Sequence, residues 1–315
     1  MLGLMQDWPL LCHRIIDHAA LNHAERPIIT RSVEGEIHST NYAGIRSRAL
    51  RVAQRLERDG IRLGDRVATL AWNTWRHLEA WYGIMGIGAI YHTVNPRLFP
   101  EQVAWIVNHA EDHMLMLDLT FVPLVEKLAN ELPTIERYVV LTDARHMPTT
   151  SLKNAVPYED WIAEADGDFV WKTFDENTAA GMCYTSGTTG NPKGVVYSHR
   201  SNVLHGLMAS NSDVLGMSSR DVALPVVPMF HANTWGISFT GPISGAARPA
   251  RSQARRRVDL RAARSLQGQL QCRSSDGMAH AAAISRNYRA QAPASQTDRD
   301  WRLLLPARHD QDFPG

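Results

Sequence analysis

Between residues 26 and 143 the apolar pattern changes period repeatedly, and this alternation limits the possible folds more than any other feature of the chain. RPIITRSVEGEIHSTNY (26–42) reads as a hairpin around Glu34-Gly35. A helix follows, with Ile45, Ala49, Val52, Ala53 and Leu56 on one face and Gly60 at its end. RVATLAW (66–72) is a short β-type run opened by the turn Gly64-Asp65. The spacing then predicts a helix over 74–86, extended chain over 89–98, a helix from Pro100 to about Ala110, a strand over 113–119, a helix over 122–131 and a buried strand over 137–143. Strands alternating with helices of this length argue for βαβ units and a parallel sheet, the α/β class, with ligands expected at loops beyond the carboxyl ends of the strands.

The pattern stops near Gly245. Residues 246–315 contain thirteen Arg, no Lys, six Asp and no Glu, a balance of +7, whereas the preceding 245 residues carry a balance of −6. The formal net charge of +1 for the 315 residues therefore hides a sharp asymmetry. A segment so poor in large apolar residues cannot bury enough surface to offset chain entropy. The expected organisation is a folded region over 1–245 and a disordered, Arg-rich segment over 246–315.

Three cysteines, Cys12, Cys183 and Cys272, are too few and too scattered for a disulfide scaffold or a metal cluster, and suit a reducing compartment. The start, MLGLMQDWPLLCHRIIDHAA, has no basic leader and carries Asp7 among its apolar residues, so it reads as part of the fold. The longest apolar run, over 80–91, is far short of the ~20 residues that span a bilayer. A cytoplasmic location without a transmembrane segment is the expectation; nothing specifies an oligomeric state.

Residues 184–194 read YTSGTTGNPKG. An apolar approach, AAGMC (179–183), leads into this loop; VVY (195–197) resumes strand character, and Ser201 is placed to cap a helix over 202–208. A glycine-rich turn between ordered elements exposes backbone N–H groups that can converge on phosphate oxygens. Hydroxyls and one lysine add side-chain donors and a mobile positive charge. The spacing is not a Walker A motif, because Lys193 follows Pro192 and precedes Gly194.

This string closely resembles the phosphate loop of the adenylate-forming (AMP-binding) enzymes. PVVPMFHANTWG (225–236) resembles the next motif of that family, and NTWRHLEAWYGIMGIGAIYHTVNPRL (73–98) resembles the corresponding region of fatty-acyl-CoA synthetases, a group that includes ligases of methylthiopropionate. The resemblance spans roughly residues 10–245. It implies the N-terminal part of the α/β large domain, with mixed and parallel sheets flanked by helices, and ATP, Mg²⁺ and CoA as partners of a carboxylic acid. The implied chemistry is formation of an acyl-adenylate followed by thioester formation with CoA. On the matching positions, Thr185, Ser186, Gly187, Thr188, Thr189, Gly190 and Lys193 would cradle the ATP phosphates, while His231 and Trp235 would line the acyl and adenylate pocket. Trp72, Trp75 and Trp81 are expected to pack; His92, His109 and His113 have no metal-ligand spacing; nothing marks Cys183 as an activated thiolate.

The family's later motifs have no counterpart here: the adenine-binding segment, the acid that helps hold Mg²⁺, the ribose-binding aspartate, the hinge and the small C-terminal lid domain with its catalytic lysine. No catalytic or metal-ligating residue is therefore assigned, and the polypeptide is expected to be an inactive partial ligase. The Arg-rich segment admits two explanations. One is a basic nucleic-acid-binding arm. The other is a reading frame that slips by one base near codons 245–248: back-translated with permitted codons and read one base later, 247–264 can become RRVLPGPKLDGASTCELL, which resembles what acyl-CoA ligases carry after the PMFH motif. The off-frame explanation is the expectation, and no nucleic-acid partner is expected.

Overall fold

The computed structural model describes residues 3–185, 191–251, 269–272 and 283–286. In chain order the helices are α1 (His13–Asn22), α2 (Tyr42–Arg58), α3 (Trp75–Gly86), α4 (Pro100–Ala110), α5 (Val122–Leu128), α6 (Tyr158–Ala163), α7 (His199–Ala209) and α8 (Ile237–Ser244). The strands are β1 (Pro27–Arg31), β2 (Ile37–Asn41), β3 (Arg66–Leu70), β4 (Ile90–Thr93), β5 (Asp112–Leu117), β6 (Arg137–Val140), β7 (Ala155–Pro157), β8 (Ala179–Thr185), β9 (Lys193–Ser198), β10 (Val222–Leu224), β11 (Arg248–Arg251), β12 (Gln269–Cys272) and β13 (Ala283–Arg286).

Seven strands form the main sheet in the order β7-β6-β5-β3-β4-β8-β9. Six run parallel, as the alternating pattern predicts. The seventh, β9, is antiparallel to β8 and closes the sheet as an edge hairpin, so the sheet is mixed. Successive side chains on a strand point to opposite faces, and the two faces bury separate cores. Val67, Met114, Met116 and Val139 join α2, α3 and α6 on one side. Ala68, Leu70, Leu115, Leu117, Tyr138 and Val140 pack under α4 and α5 on the other.

The hairpin β1-β2 stands as predicted, with Gly35 at φ 107° in its turn. Helix α2 begins after Asn41, whose side chain accepts the Gly44 N–H at 2.9 Å, and the chain leaves it through Gly60 at φ 89°. Helix α3 is buried over its whole length, which explains why it carries so few charges. Its two charged residues are both paired. Glu79 accepts from Arg48 at 2.8 Å and from the Tyr158 hydroxyl at 2.9 Å, and Arg76 joins Glu159 and Glu34 at 2.7 Å each.

Several expected elements stand but end early, α5 at Leu128 and β6 at Val140, and the start of α7 differs in its cap. Ser198, rather than Ser201, caps α7: its hydroxyl accepts the Ser201 N–H at 3.1 Å, and the helix starts at His199. Three strands also fall in the segment expected to be without order. β11 runs parallel to β1, and β12 and β13 pair with each other and with β10. Positions 252–268, 273–282 and 287–315 lie outside the described residues. Among those described, no helix is long and apolar enough to cross a membrane.

Candidate functional site

Strand β8 carries the chain from the middle of the sheet to its carboxyl edge, where parallel sheets present their loops to ligands. Its last residue, Thr185, is the register partner of Lys193, the first residue of β9, so the two close the mouth of the glycine-hydroxyl loop. Both are exposed. The intervening Ser186, Gly187, Thr188, Thr189 and Gly190 lie outside the described residues. Cys183, which directly precedes the loop, is buried, and burial raises its thiol pKa.

The base of the hairpin is anchored to neighbouring strands and helices. A Cβ at Gly181 would stand 1.9 Å from Cζ of Tyr91, so β8 passes directly against that ring. On the opposite face, Tyr184 donates its hydroxyl to Nδ1 of His109 at 2.6 Å and leans on His92, with ring centroids 5.2 Å apart. His92 in turn donates from Nδ1 to Asp112 at 2.6 Å in a fully buried pair. None of these contacts is readable from spacing; His92 and His109 both bond protein groups. Among the described residues no group of His, Cys, Asp and Glu could hold a metal ion.

The second motif leaves β10 as an irregular segment and ends in an unusual turn. Ala232, Asn233, Thr234, Trp235 and Gly236 have φ of 42°, 51°, 59°, 53° and 76°, a left-handed helical turn made almost entirely of residues with side chains. Such backbone costs ~1–2 kcal/mol per residue and persists only where surroundings over-determine it. Here Asn233 is buried: its Oδ1 accepts from Thr93 Oγ1 at 3.2 Å and its Nδ2 donates to the Tyr91 hydroxyl at 3.2 Å. His205 of α7 donates from Nε2 to the Trp235 carbonyl at 3.2 Å. Held this way, His231 is exposed and Trp235 half-buried.

Tyr91 ties the two motifs together. Its hydroxyl also accepts from Asn202 Nδ2 at 3.4 Å, on the helix that follows the loop hairpin. The ring stacks on Trp81 at 3.8 Å, which accounts for that tryptophan as packing. Trp75 is likewise buried, stacked 4.1 Å from His38. Trp72 contacts Phe121 and Phe230 at 5.2 and 5.9 Å.

Residues 16–264 match the model of the AMP-binding enzyme family. The chain belongs to this family. The match runs past the composition break at 245. Among curated AMP-binding relatives, a 3-methylmercaptopropionyl-CoA ligase of Ruegeria pomeroyi is 49% identical over 246 residues, covering 78% of this chain and 46% of that protein. A medium-chain-fatty-acid–CoA ligase of Ectopseudomonas oleovorans is 42% identical over 246 residues, covering 78% and 45%. The chain thus spans about half the length of the curated relatives it matches. The fold is that of an anthranilate CoA ligase solved with anthranoyl-AMP, with a TM-score of 0.70 at 23% identity over 79% of this chain and 47% of that one.

Proposed function

We propose that this AMP-binding chain carries the phosphate-binding and acyl-binding half of an ATP-dependent acid–CoA ligase, which joins a carboxylic acid to CoA through an acyl-adenylate. The observation that carries this reading is the Thr185–Lys193 hairpin mouth at the carboxyl edge of the sheet, joined through Tyr91 to the segment bearing His231 and Trp235. In this reading Thr185, Ser186, Gly187, Thr188, Thr189, Gly190 and Lys193 bind the ATP phosphates. The loop amides and hydroxyls donate hydrogen bonds, and the Lys193 ammonium offsets the charge. Mg²⁺ bound with the nucleotide would supply further charge neutralisation. His231 and Trp235 line the place where acid and α-phosphate meet, so that the carboxylate is oriented for attack rather than merely bound.

A fatty acid is the substrate class first implied by the sequence. The 49% identity to a 3-methylmercaptopropionyl-CoA ligase, against 42% to a medium-chain ligase, favours a second reading, a short sulfur-containing acid. Binding titrations with ATP, followed by acyl-adenylate formation from 3-(methylthio)propanoate, octanoate and palmitate, separate these readings. Failure of ATP to bind overturns the proposal as a whole.

We also propose that residues from about 246 onward are an off-frame product, and that the 315-residue polypeptide by itself binds nucleotide without releasing acyl-CoA. The +7 balance of that segment, with neither Lys nor Glu, supports this. Resequencing the gene through codons 240–260 is the direct test: one base should restore the LPGPKLDG frame. A confirmed frame, or acyl-CoA release by the purified polypeptide, overturns it; salt-sensitive DNA binding lost on removing 246–315 would instead favour a basic arm.

A further inference from the structure

Asn73 makes an unusual set of contacts for a residue in the turn between a strand and a helix. It is buried at 5% exposure and spends its entire side-chain amide on one distant stretch of backbone. Nδ2 donates to the carbonyls of Pro225 at 3.1 Å and Val227 at 3.0 Å, and Oδ1 accepts the Met229 N–H at 2.7 Å. From these contacts we infer that Asn73 is the positioning residue for the acyl-binding segment, setting where Phe230 and His231 stand; the inference rests on the functional reading above.

The physical argument begins with Pro225 and Pro228. Both lack an N–H, so PVVP is poorly suited to a strand ladder or a helix interior, and its buried carbonyls need partners from elsewhere. A primary amide offers two donors and an acceptor in one plane, which matches two carbonyls and one N–H; a carboxylate of the same shape would face both carbonyls with acceptors. Asn73 is itself held firmly. It follows β3, and the next residue, Thr74, caps α3 by accepting the His77 N–H at 3.3 Å. The far end of the segment is fixed by Asn233 on Thr93 and Tyr91. His231 lies between these two anchors and owes its place to them, since its own backbone bonds are local: its N–H to Pro228 at 3.0 Å and its carbonyl to the Thr234 N–H at 3.1 Å.

The test uses the 315-residue chain, its Asn73→Asp and Asn73→Ala variants, and two probes: a non-hydrolysable acyl-sulfamoyl-adenosine and inorganic pyrophosphate. Both variants are expected to bind the adenylate mimic about tenfold more weakly, the scale of one lost buried hydrogen bond or more, while pyrophosphate affinity stays unchanged. Hydrogen–deuterium exchange should rise over 225–236 and stay unchanged in α4 and β5. Wild-type affinity for the mimic in both variants, or exchange raised evenly across the chain, overturns the inference. If the unsubstituted chain binds neither probe, the functional reading falls, and the location of the exchange change still decides the role of Asn73. Should neither variant fold, the unsubstituted chain decides: rapid exchange of the Met229 amide overturns the inference, and strong protection supports it.

Discussion

The ring of Tyr91 fills the space that a side chain at position 181 would need, with its hydroxyl oxygen 2.3 Å from where a Cβ of residue 181 would stand. Gly181→Ala therefore forces either β8 or Tyr91 to move, and Tyr91 cannot retreat because it is stacked on Trp81. Overpacking of this kind costs about 1–3 kcal/mol. The expected result is a lower denaturant midpoint at unchanged m-value; a midpoint equal to that of the parent chain would contradict the packing described.

Arg76 links two carboxylates across three parts of the fold. Its guanidinium reaches Glu34 in the β1-β2 hairpin and Glu159 in α6 at 2.7 Å each, and donates to the Leu141 carbonyl at 3.0 Å. The side chains of Arg76 and Glu34 are 8% and 5% exposed. Removing one partner of a buried pair leaves an uncompensated charge, at a cost of about 3–5 kcal/mol. Arg76→Ala should thus be among the most destabilising substitutions in the chain, read by chemical denaturation, and the double substitution with Glu34→Gln should recover part of the loss.

Asp118 follows β5 and is buried, and among the described residues it makes no salt bridge, although the Arg76 charge acts on it from a distance. Burial pushes its carboxyl up to about 7, although the Trp72 N–H donated at 2.6 Å works in the opposite sense. A carboxyl whose folded pKa is raised binds its proton more tightly when folded. Its stabilising contribution is full below the unfolded value near 4 and is lost as pH rises towards 7. Asp118→Asn keeps an acceptor for Trp72 and never ionises. Its unfolding free energy relative to the parent should rise between pH 4 and pH 8, by about 1 kcal/mol or more in total. A difference that does not vary with pH would show that Asp118 is not the titrating group.

Lys193 is exposed at the loop mouth and makes no salt bridge within the described residues. Under the proposed function, Lys193→Met should weaken ATP binding about tenfold or more, as loss of a charge-assisted contact does, and should leave stability within about 0.5 kcal/mol. Isothermal titration together with a melting curve checks both. Equal ATP affinity in the variant would remove Lys193 from the site.

Much of the main sheet was legible because its local signals agree. Gly60 ends α2 and Pro100 opens α4; the predicted helix over 74–86 and the strand over 66–72 both stand, within two residues. The α7 cap was misassigned because Ser198 and Ser201 look equivalent in sequence. What separates them is pairing: Ser198 is the last residue of β9, opposite Ala179, and only the residue at the end of a ladder is free to turn into a helix. The antiparallel sense of β9 was unforeseen for a similar reason, since a strand does not encode the direction of its neighbour. Strand β7 and helix α6 were missed because three and six residues are too few to show a period.

At the candidate site the division is sharper. The sequence alone determined the chemical character of the loop, since glycines, hydroxyls and one lysine in that order suit a polyphosphate wherever they are placed. It also determined the alternating layers that bring such a loop to the edge of a sheet. Tertiary structure alone decided what holds the second motif against the first: the left-handed turn at 232–236, the Tyr91 hydroxyl shared by Asn202 and Asn233, and the Asn73 amide spent on residues 225–229. Those partners are more than one hundred residues apart in the chain. The Asn73 bonds satisfy irregular backbone, which has no period, and the Tyr91 bonds join side chains of separate elements. Both arise only when the folded chain brings a lone amide or hydroxyl to buried groups that would otherwise have no partner.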